Sequence, residues 1–166
     1  MDKTLKVAHF VGLALFLGSI PGHILLGRLA DPADLPGFAL LMHAKYVSVL
    51  ALTLSALFLT LLSGIALMLR RGMTPNRIRR MAVKLVLVAL IMLNGTLVLR
   101  PVAAEMAHSA RAAAKTGILS PEFAALQRRE GAFGAANLAM ILAVIGLAVF
   151  KPRWRGDETK PGQVRS

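Results

Sequence analysis

The sequence predicts an all-α integral membrane protein, a bundle of four transmembrane helices with both termini on the cytoplasmic side. Hydrophobic residues make up 56% of the 166-residue chain, and charged residues only 17%. The mean hydropathy of +0.64 is too high for an ordinary water-soluble domain of this length. Four apolar stretches, each long enough to cross about 30 Å of hydrocarbon, use most of the chain. We therefore expect one transmembrane domain over residues 1–155.

The first span is predicted at about residues 5–29. Lys3 and Lys6 precede it, as basic residues precede the core of a signal peptide, but this apolar stretch is longer than such a core and contains two histidines. Residues 31–37, with two aspartates and two prolines, form a turn-rich loop that ends the helix. The second span is expected at about residues 41–69.

The connector over residues 70–80 contains five arginines and no acidic residue. Such a loop is retained in the cytoplasm by the positive-inside rule, and this fixes the predicted orientation of the whole chain. The third span follows at about residues 81–99. An alanine-rich segment, residues 102–115, is prone to form a helix but is too polar to insert, so we expect an amphipathic helix on the periplasmic side.

The fourth helix is predicted to begin outside the membrane at Ser120, Pro121 and Glu122. Serine is a common N-cap, proline is tolerated in the first turn, and an acidic residue suits the positive end of the helix dipole. Its membrane span covers about residues 131–150. The polar tail, residues 156–166, is expected to be disordered in the cytoplasm. This arrangement is typical of a multi-pass protein of the bacterial inner membrane.

The charge and the amino-acid usage exclude several classes of protein. The net charge of +12 comes from basic residues at the ends of apolar stretches, which indicates contact with lipid headgroups rather than with nucleic acid. The chain has no cysteine, so disulfides, iron–sulfur clusters, thiolate zinc sites and covalent haem attachment are excluded. A metal or haem would have to be held by histidine, methionine, lysine or carboxylate.

Three histidines are candidate ligands of a metal or haem iron. His9 and His23 are 14 residues apart on the first helix. This spacing puts them on nearly the same face about 21 Å apart, which is compatible with one haem near each membrane surface. In an antiparallel hairpin His43 comes level with His23, and the pair could bracket a metal or haem iron near the periplasmic surface. Alternatively, each histidine is hydrogen-bonded at a membrane interface.

Several basic residues are candidates for supporting roles. Lys84 should lie at the depth of His9 and assist its chemistry, or it extends to the cytoplasmic headgroups. Arg100 suits a lipid phosphate, a haem propionate or a quinone-like anion. His108 falls on a similar face farther out, and Lys45 is interpreted as an interfacial anchor. The segment Arg128–Glu130 either closes this outer cluster or is a solvated helix start.

Two short motifs resemble a known membrane superfamily. They are Lys6-Val7-Ala8-His9 with Gly12 and Leu17-Gly18 in the first span, and Val83-Lys84-Leu85 at the start of the third. The pattern resembles the four-helix superfamily of CopD-type copper-resistance proteins and HemJ-type protoporphyrinogen oxidases. The resemblance implies that His9 ligates haem b and that Lys84 supports activity.

The leading hypothesis is a haem b-binding membrane redox protein, acting in electron transfer or like a protoporphyrinogen oxidase. His9, His23 and His43 are its candidate iron ligands, with Lys84 and Arg100 as candidate catalytic residues. An alternative is a small copper-handling or transport-associated protein that uses Met42 beside His23 and His43. A third hypothesis is a non-catalytic membrane scaffold. The expected partners are membrane lipids, a quinone or tetrapyrrole, and a redox protein or a second copy of the chain.

Overall fold

The computed structural model describes residues 2–70 and 75–150, and all regular secondary structure in these two ranges is helical. The elements are α1 (Asp2–Leu29), α2 (Leu35–Ser48), a π-helical segment (Val49–Leu54), α3 (Ser55–Arg70), α4 (Pro75–Asn94), a second π-helical segment (Gly95–Leu99), α5 (Arg100–Thr116) and α6 (Phe123–Val149). The tail predicted at residues 156–166 and part of the basic connector, residues 71–74, lie outside the described residues.

The predicted fold class is confirmed, because four helices within the described ranges are long and apolar enough to cross a membrane. They are Lys3–Leu29, Leu35–Arg70, Met81–Thr116 and Phe123–Val149. The second and third are 36 residues long, which corresponds to about 54 Å at 1.5 Å per residue. This exceeds the roughly 30 Å of a hydrocarbon core, so both central helices extend well beyond it.

Each of the two central helices contains one π-helical segment. The second segment, Gly95–Leu99, ends just before Pro101. Proline lacks an N–H group, and its ring clashes with the carbonyl four residues earlier, here Leu97 inside the π-helical segment. The local change of helical pitch lets the chain continue through Pro101 without a break. Residues 102–115, predicted to form a periplasmic amphipathic helix, are helical and are continuous with the third membrane helix.

Short polar residues and one glycine define the helix ends at one end of the bundle, which we call the outer end after the predicted topology. The Asp34 side chain accepts a hydrogen bond from the Gly37 N–H and caps α2. Gly117 ends α5 in the left-handed conformation, with φ 76°, and its N–H donates to the Ala113 carbonyl. Helix α6 begins at Phe123, so the predicted start with Ser120 as N-cap is wrong: the N-cap is Glu122, which makes no side-chain capping bond, and the Ser120 hydroxyl donates to its carboxylate.

Two apolar clusters hold the helices together. At the outer end α2 packs on α5 and on the start of α6, in a cluster that includes Phe38, Met42, Met106, Ala110 and Phe123. In the middle of the bundle Phe16 of α1 contacts residues of α3, α4 and α6, in a cluster with Ala56, Leu57, Ile91 and Ile141. Toward the other end α1 packs on α3 and α4 packs on α6. The interior face of α1 therefore runs through Phe16.

Candidate functional site

His9 lies against α3, two turns from Phe16 on the interior face of α1. Its Nδ1 atom is 2.9 Å from the backbone carbonyl oxygen of Thr60 and 3.2 Å from the hydroxyl oxygen of Ser63. A Cβ atom built on Gly64 would lie 3.2 Å from His9 Cε1, so the absence of a side chain there leaves room for the imidazole edge. The side chain is half-buried.

The hydrogen bonds of His9 determine which ring nitrogen carries the proton. A carbonyl oxygen only accepts, so the bond to Thr60 requires a hydrogen on Nδ1. The Ser63 hydroxyl donates to the Leu59 carbonyl, which leaves its oxygen free to accept from the same N–H. In the neutral ring the lone pair is then on Nε2, and this atom has no hydrogen-bond partner among the described residues. His9 therefore presents a free lone pair with a fixed tautomer.

His23 belongs to a chain of hydroxyl groups between α1 and the second membrane helix. Its Nε2 atom is 2.9 Å from Ser48 Oγ and 3.4 Å from Thr53 Oγ1. Thr53 donates to Ser19, which donates to the Phe16 carbonyl. In an α-helix, residues five apart differ by about 140° in direction. The π-helical segment Val49–Leu54 brings Ser48 and Thr53 to the same side, because its hydrogen bonds join positions five apart.

His43 faces α5 and not α1. Its Nδ1 atom accepts a hydrogen bond from the guanidinium of Arg111, an exposed residue of α5. Since arginine only donates, the proton of the neutral imidazole lies on Nε2. His23 and His43 thus contact different partners, and within residues 2–70 and 75–150 no group of three His, Asp or Glu side chains is arranged to hold a metal ion. Met42 is buried in the outer apolar cluster.

The remaining predicted site residues lie in separate places. Lys84 is half-buried on α4, while Arg100 is exposed at the start of α5. His108, two turns farther along α5, is also exposed. The structure therefore does not collect Arg100 and His108 into a closed outer site.

Lys45 and Glu130 form an ion pair that the sequence analysis did not predict. The Lys45 ammonium is 2.6 Å from a carboxylate oxygen of Glu130, and the side chains are 10% and 21% exposed. Lys45, interpreted from the sequence as an interfacial anchor, thus has a protein partner, and Glu130 is half-buried rather than part of a solvated helix start. Gly27 of α1 makes room for the pair, because a Cβ atom there would lie 3.3 Å from Lys45 Nζ. The opposite charges near the outer ends of two apolar helices were the signal that could have revealed it.

A second polar contact that the sequence analysis missed joins α4 to α6. The side-chain amide of Asn94 donates to the Phe133 carbonyl and to the side-chain oxygen of Asn137, each at 3.0 Å. In the sequence, Asn94 is a polar residue within the apolar third span. Its pairing ties the two helices together within the apolar region, where such bonds contribute to helix association.

One known family of membrane proteins matches almost the whole chain. The family of predicted integral membrane proteins DUF2269 matches residues 3–152, a range that covers all four membrane helices. The chain belongs to this family. No curated protein and no solved structure matches it. The DUF2269 chain is thus a multi-pass integral membrane protein.

Two arrangements in this DUF2269 protein have chemical capacity. At the inner half of α1, His9 combines a fixed tautomer with a free Nε2 lone pair, the condition under which imidazole serves as a metal ligand. At the outer end, the Lys45–Glu130 pair lines a cavity of about 310 Å³. The two arrangements share no residue.

Proposed function

We propose that this protein binds haem b through His9 and acts as a one-electron redox protein of the bacterial inner membrane. The observation that supports the proposal is the hydrogen bond from His9 Nδ1 to the Thr60 carbonyl, which leaves the Nε2 lone pair free. Histidines that ligate metals almost always donate their other ring N–H in this way. A half-buried position on a membrane helix also suits a hydrophobic macrocycle better than it suits a hydrated ion.

The residues around His9 have defined roles in this proposal. Thr60 holds the tautomer and the ring orientation, with Ser63 as a second acceptor. The absence of a side chain at Gly64 leaves room for the edge of the His9 ring. When bound, haem supplies a ferric/ferrous couple that carries one electron at a time between membrane donors and acceptors. The resemblance of the Lys6–His9 and Val83–Leu85 motifs to the CopD and HemJ superfamily supports the same assignment.

The proposal assigns one protein ligand to the iron. Nε2 of His23 is engaged by two hydroxyl groups, and Nε2 of His43 carries the proton. Neither has the free Nε2 lone pair and the fixed tautomer found together at His9, so we propose neither as a ligand in this arrangement. Lys84 is proposed to stabilise a propionate, a substrate anion or a proton-transfer step, and Arg100 to bind an anionic group at the outer end.

The visible absorption spectrum of the detergent-purified protein tests the proposal. Protein produced with ample haem should show a Soret band, and His9→Ala should lose most of it because the bond to iron is removed. His108→Ala is the matched control, because His108 is an exposed histidine of the same chain and should leave the spectrum unchanged. A wild-type protein without a Soret band, or a His9→Ala protein with full haem content, would refute the assignment. Copper in the purified protein without haem would favour the metal-handling hypothesis.

A further inference from the structure

A second candidate binding site lies at the outer end of the bundle, far from His9. The cavity of about 310 Å³ is bounded by the end of α1, by α2 and α5, and by the loop before α6 and the first turns of α6, and it is open on one side. Its walls are of mixed polarity, with Phe38, Met42, Met106 and Leu119 among the apolar lining residues. Lys45 and Glu130 are its charged lining residues. The cavity therefore combines apolar side chains with one pair of opposite charges.

The ion pair keeps unused hydrogen-bonding capacity. A lysine ammonium has three N–H donors, and a carboxylate has about four lone-pair positions. Within the described part of the chain, Lys45 and Glu130 each have only the other as a polar partner. The Lys45 side chain is 10% exposed and lines the cavity, so a molecule in the cavity is within reach of its remaining donors. Burial of charged donors without acceptors is unfavourable, and a ligand in the cavity can supply those acceptors.

The charges of the pair restrict what the cavity selects. A simple anion is attracted by Lys45 but repelled by Glu130, whose carboxylate is only 2.6 Å from the ammonium. A simple cation meets the opposite problem. A ligand that carries a negative and a positive group can place each beside its opposite charge, and it leaves the net charge of the site unchanged. The pair therefore favours a zwitterion.

The surroundings indicate that the zwitterion is part of a lipid. Leu29 and Ile118, which adjoin the lining residues Ala30 and Leu119, are 60% and 75% exposed. Large apolar side chains exposed beside a cavity are typical of surfaces that contact lipid or another apolar partner. Lys45 and Glu130 lie near the predicted outer ends of the second and fourth spans, about residues 41 and 131, which is the depth at which phospholipid headgroups are found.

We propose that the outer cavity binds the zwitterionic headgroup of an ethanolamine phospholipid. Lys45 donates to the phosphate, Glu130 accepts from the primary ammonium, and the glycerol and first methylene groups contact Met42, Met106 and Phe38. The chemical group recognised is a phosphate ester that carries a primary ammonium, which soluble phosphoethanolamine also contains. The site is independent of haem binding at His9.

Binding of defined lipids to the delipidated, detergent-purified full chain tests the proposal, with native mass spectrometry as the measurement. Phosphatidylethanolamine should bind about ten-fold or more tightly than phosphatidylcholine or phosphatidylglycerol. The choline headgroup has no N–H donor for Glu130, and the glycerol headgroup has no cation. Soluble phosphoethanolamine, measured by calorimetry, should bind far more weakly because it lacks the apolar part. Equal binding of the three lipids, or of the soluble compound and the lipid, would overturn the proposal.

Two pairs of variants separate the ligand site from the fold. Ala124→Leu fills the cavity without altering the ion pair, whereas Ala125→Leu adds the same volume one residue away, at an exposed position that does not line the cavity. The first should reduce phosphatidylethanolamine binding about ten-fold, and the second should leave it unchanged. Lys45→Gln should weaken binding similarly, while the exposed Lys115→Gln should not. Unchanged binding by Ala124→Leu would contradict the proposed location even if Lys45→Gln failed to fold.

Discussion

Close contact between α1 and α3 depends on Gly12, and replacing this residue with alanine should loosen the helix pair. A Cβ atom at Gly12 would lie 2.5 Å from Thr60 Oγ1, 3.0 Å from the Thr60 backbone nitrogen and 3.2 Å from the Ala56 carbonyl oxygen. The hydroxyl can rotate away, but the two backbone atoms move only if the helices separate. Overpacking of this kind costs about 1–3 kcal/mol. The gain in helix propensity from glycine to alanine, at most about 1 kcal/mol, offsets part of that cost.

Gly18 provides the matched control on the same helix, because nothing lies within 4 Å of a Cβ atom built there. Gly18→Ala should therefore be neutral or stabilising, and the two variants should differ by about 1–3 kcal/mol in free energy of unfolding. Unfolding in mixed detergent micelles, followed by circular dichroism, measures the difference. Thr60 also accepts the hydrogen bond from His9, so Gly12→Ala should in addition lower haem retention. Equal stability of the two variants would refute the close approach of α1 to α3.

Three further predictions follow from single substitutions. Asn76→Cys should react with an impermeant thiol reagent only after the membrane is permeabilised, since the basic connector is predicted to be cytoplasmic; labelling in intact cells would reverse the topology. Lys84→Ala should slow haem reduction while lowering haem content less than His9→Ala does, and equal loss of haem in both would make Lys84 a structural residue. Glu130→Gln should lower the free energy of unfolding by about 2 kcal/mol, between the values for surface and buried ion pairs, because it leaves Lys45 without a counter-charge. Denaturant unfolding of this variant and of Lys45→Met/Glu130→Gln measures the effect. If the double variant recovers no stability, the prediction is wrong.

Length and hydropathy were sufficient to predict the four membrane helices. Neither π-helical segment was predicted. The sequence contains a signal for the second segment but none for the first. Pro101 is a visible signal for the second segment, because an interior proline must either break the helix or disturb its hydrogen bonds. The first segment, Val49–Leu54, lies in an apolar sequence in which nothing marks a change of pitch. Its effect is seen only in the structure, where the Ser48 and Thr53 hydroxyls both lie within hydrogen-bond distance of His23 Nε2.

The sequence predicted neither the partners of the histidines nor the directions in which their side chains face: His23 lies beside Ser48, five residues beyond His43. Counting residues along α1 and α2 places His23 and His43 at similar levels, yet it does not determine which way each side chain faces. His43 and Lys45 are two residues apart, which separates them by about 200° around the helix axis. Only one of them can face α1 and α6, and in the structure that residue is Lys45, whereas His43 turns toward Arg111 of α5. Rotation about helix axes is set by tertiary packing, for which the apolar sequence of a membrane helix carries little information.

The separation between the two proposed sites makes a final prediction. His9 and Gly27, which adjoins Lys45, are 18 residues apart on α1, or about 27 Å along the helix. Sites this far apart that share no partner usually contribute independently. The double variant His9→Ala/Ala124→Leu should therefore have the haem content of His9→Ala and the lipid affinity of Ala124→Leu, each measured as for the single variants. A lipid affinity that depends on haem content would contradict this independence. It would indicate that α1 couples the two sites by moving as a rigid body, since both sites contact this helix and Phe16 lies between them in the central cluster.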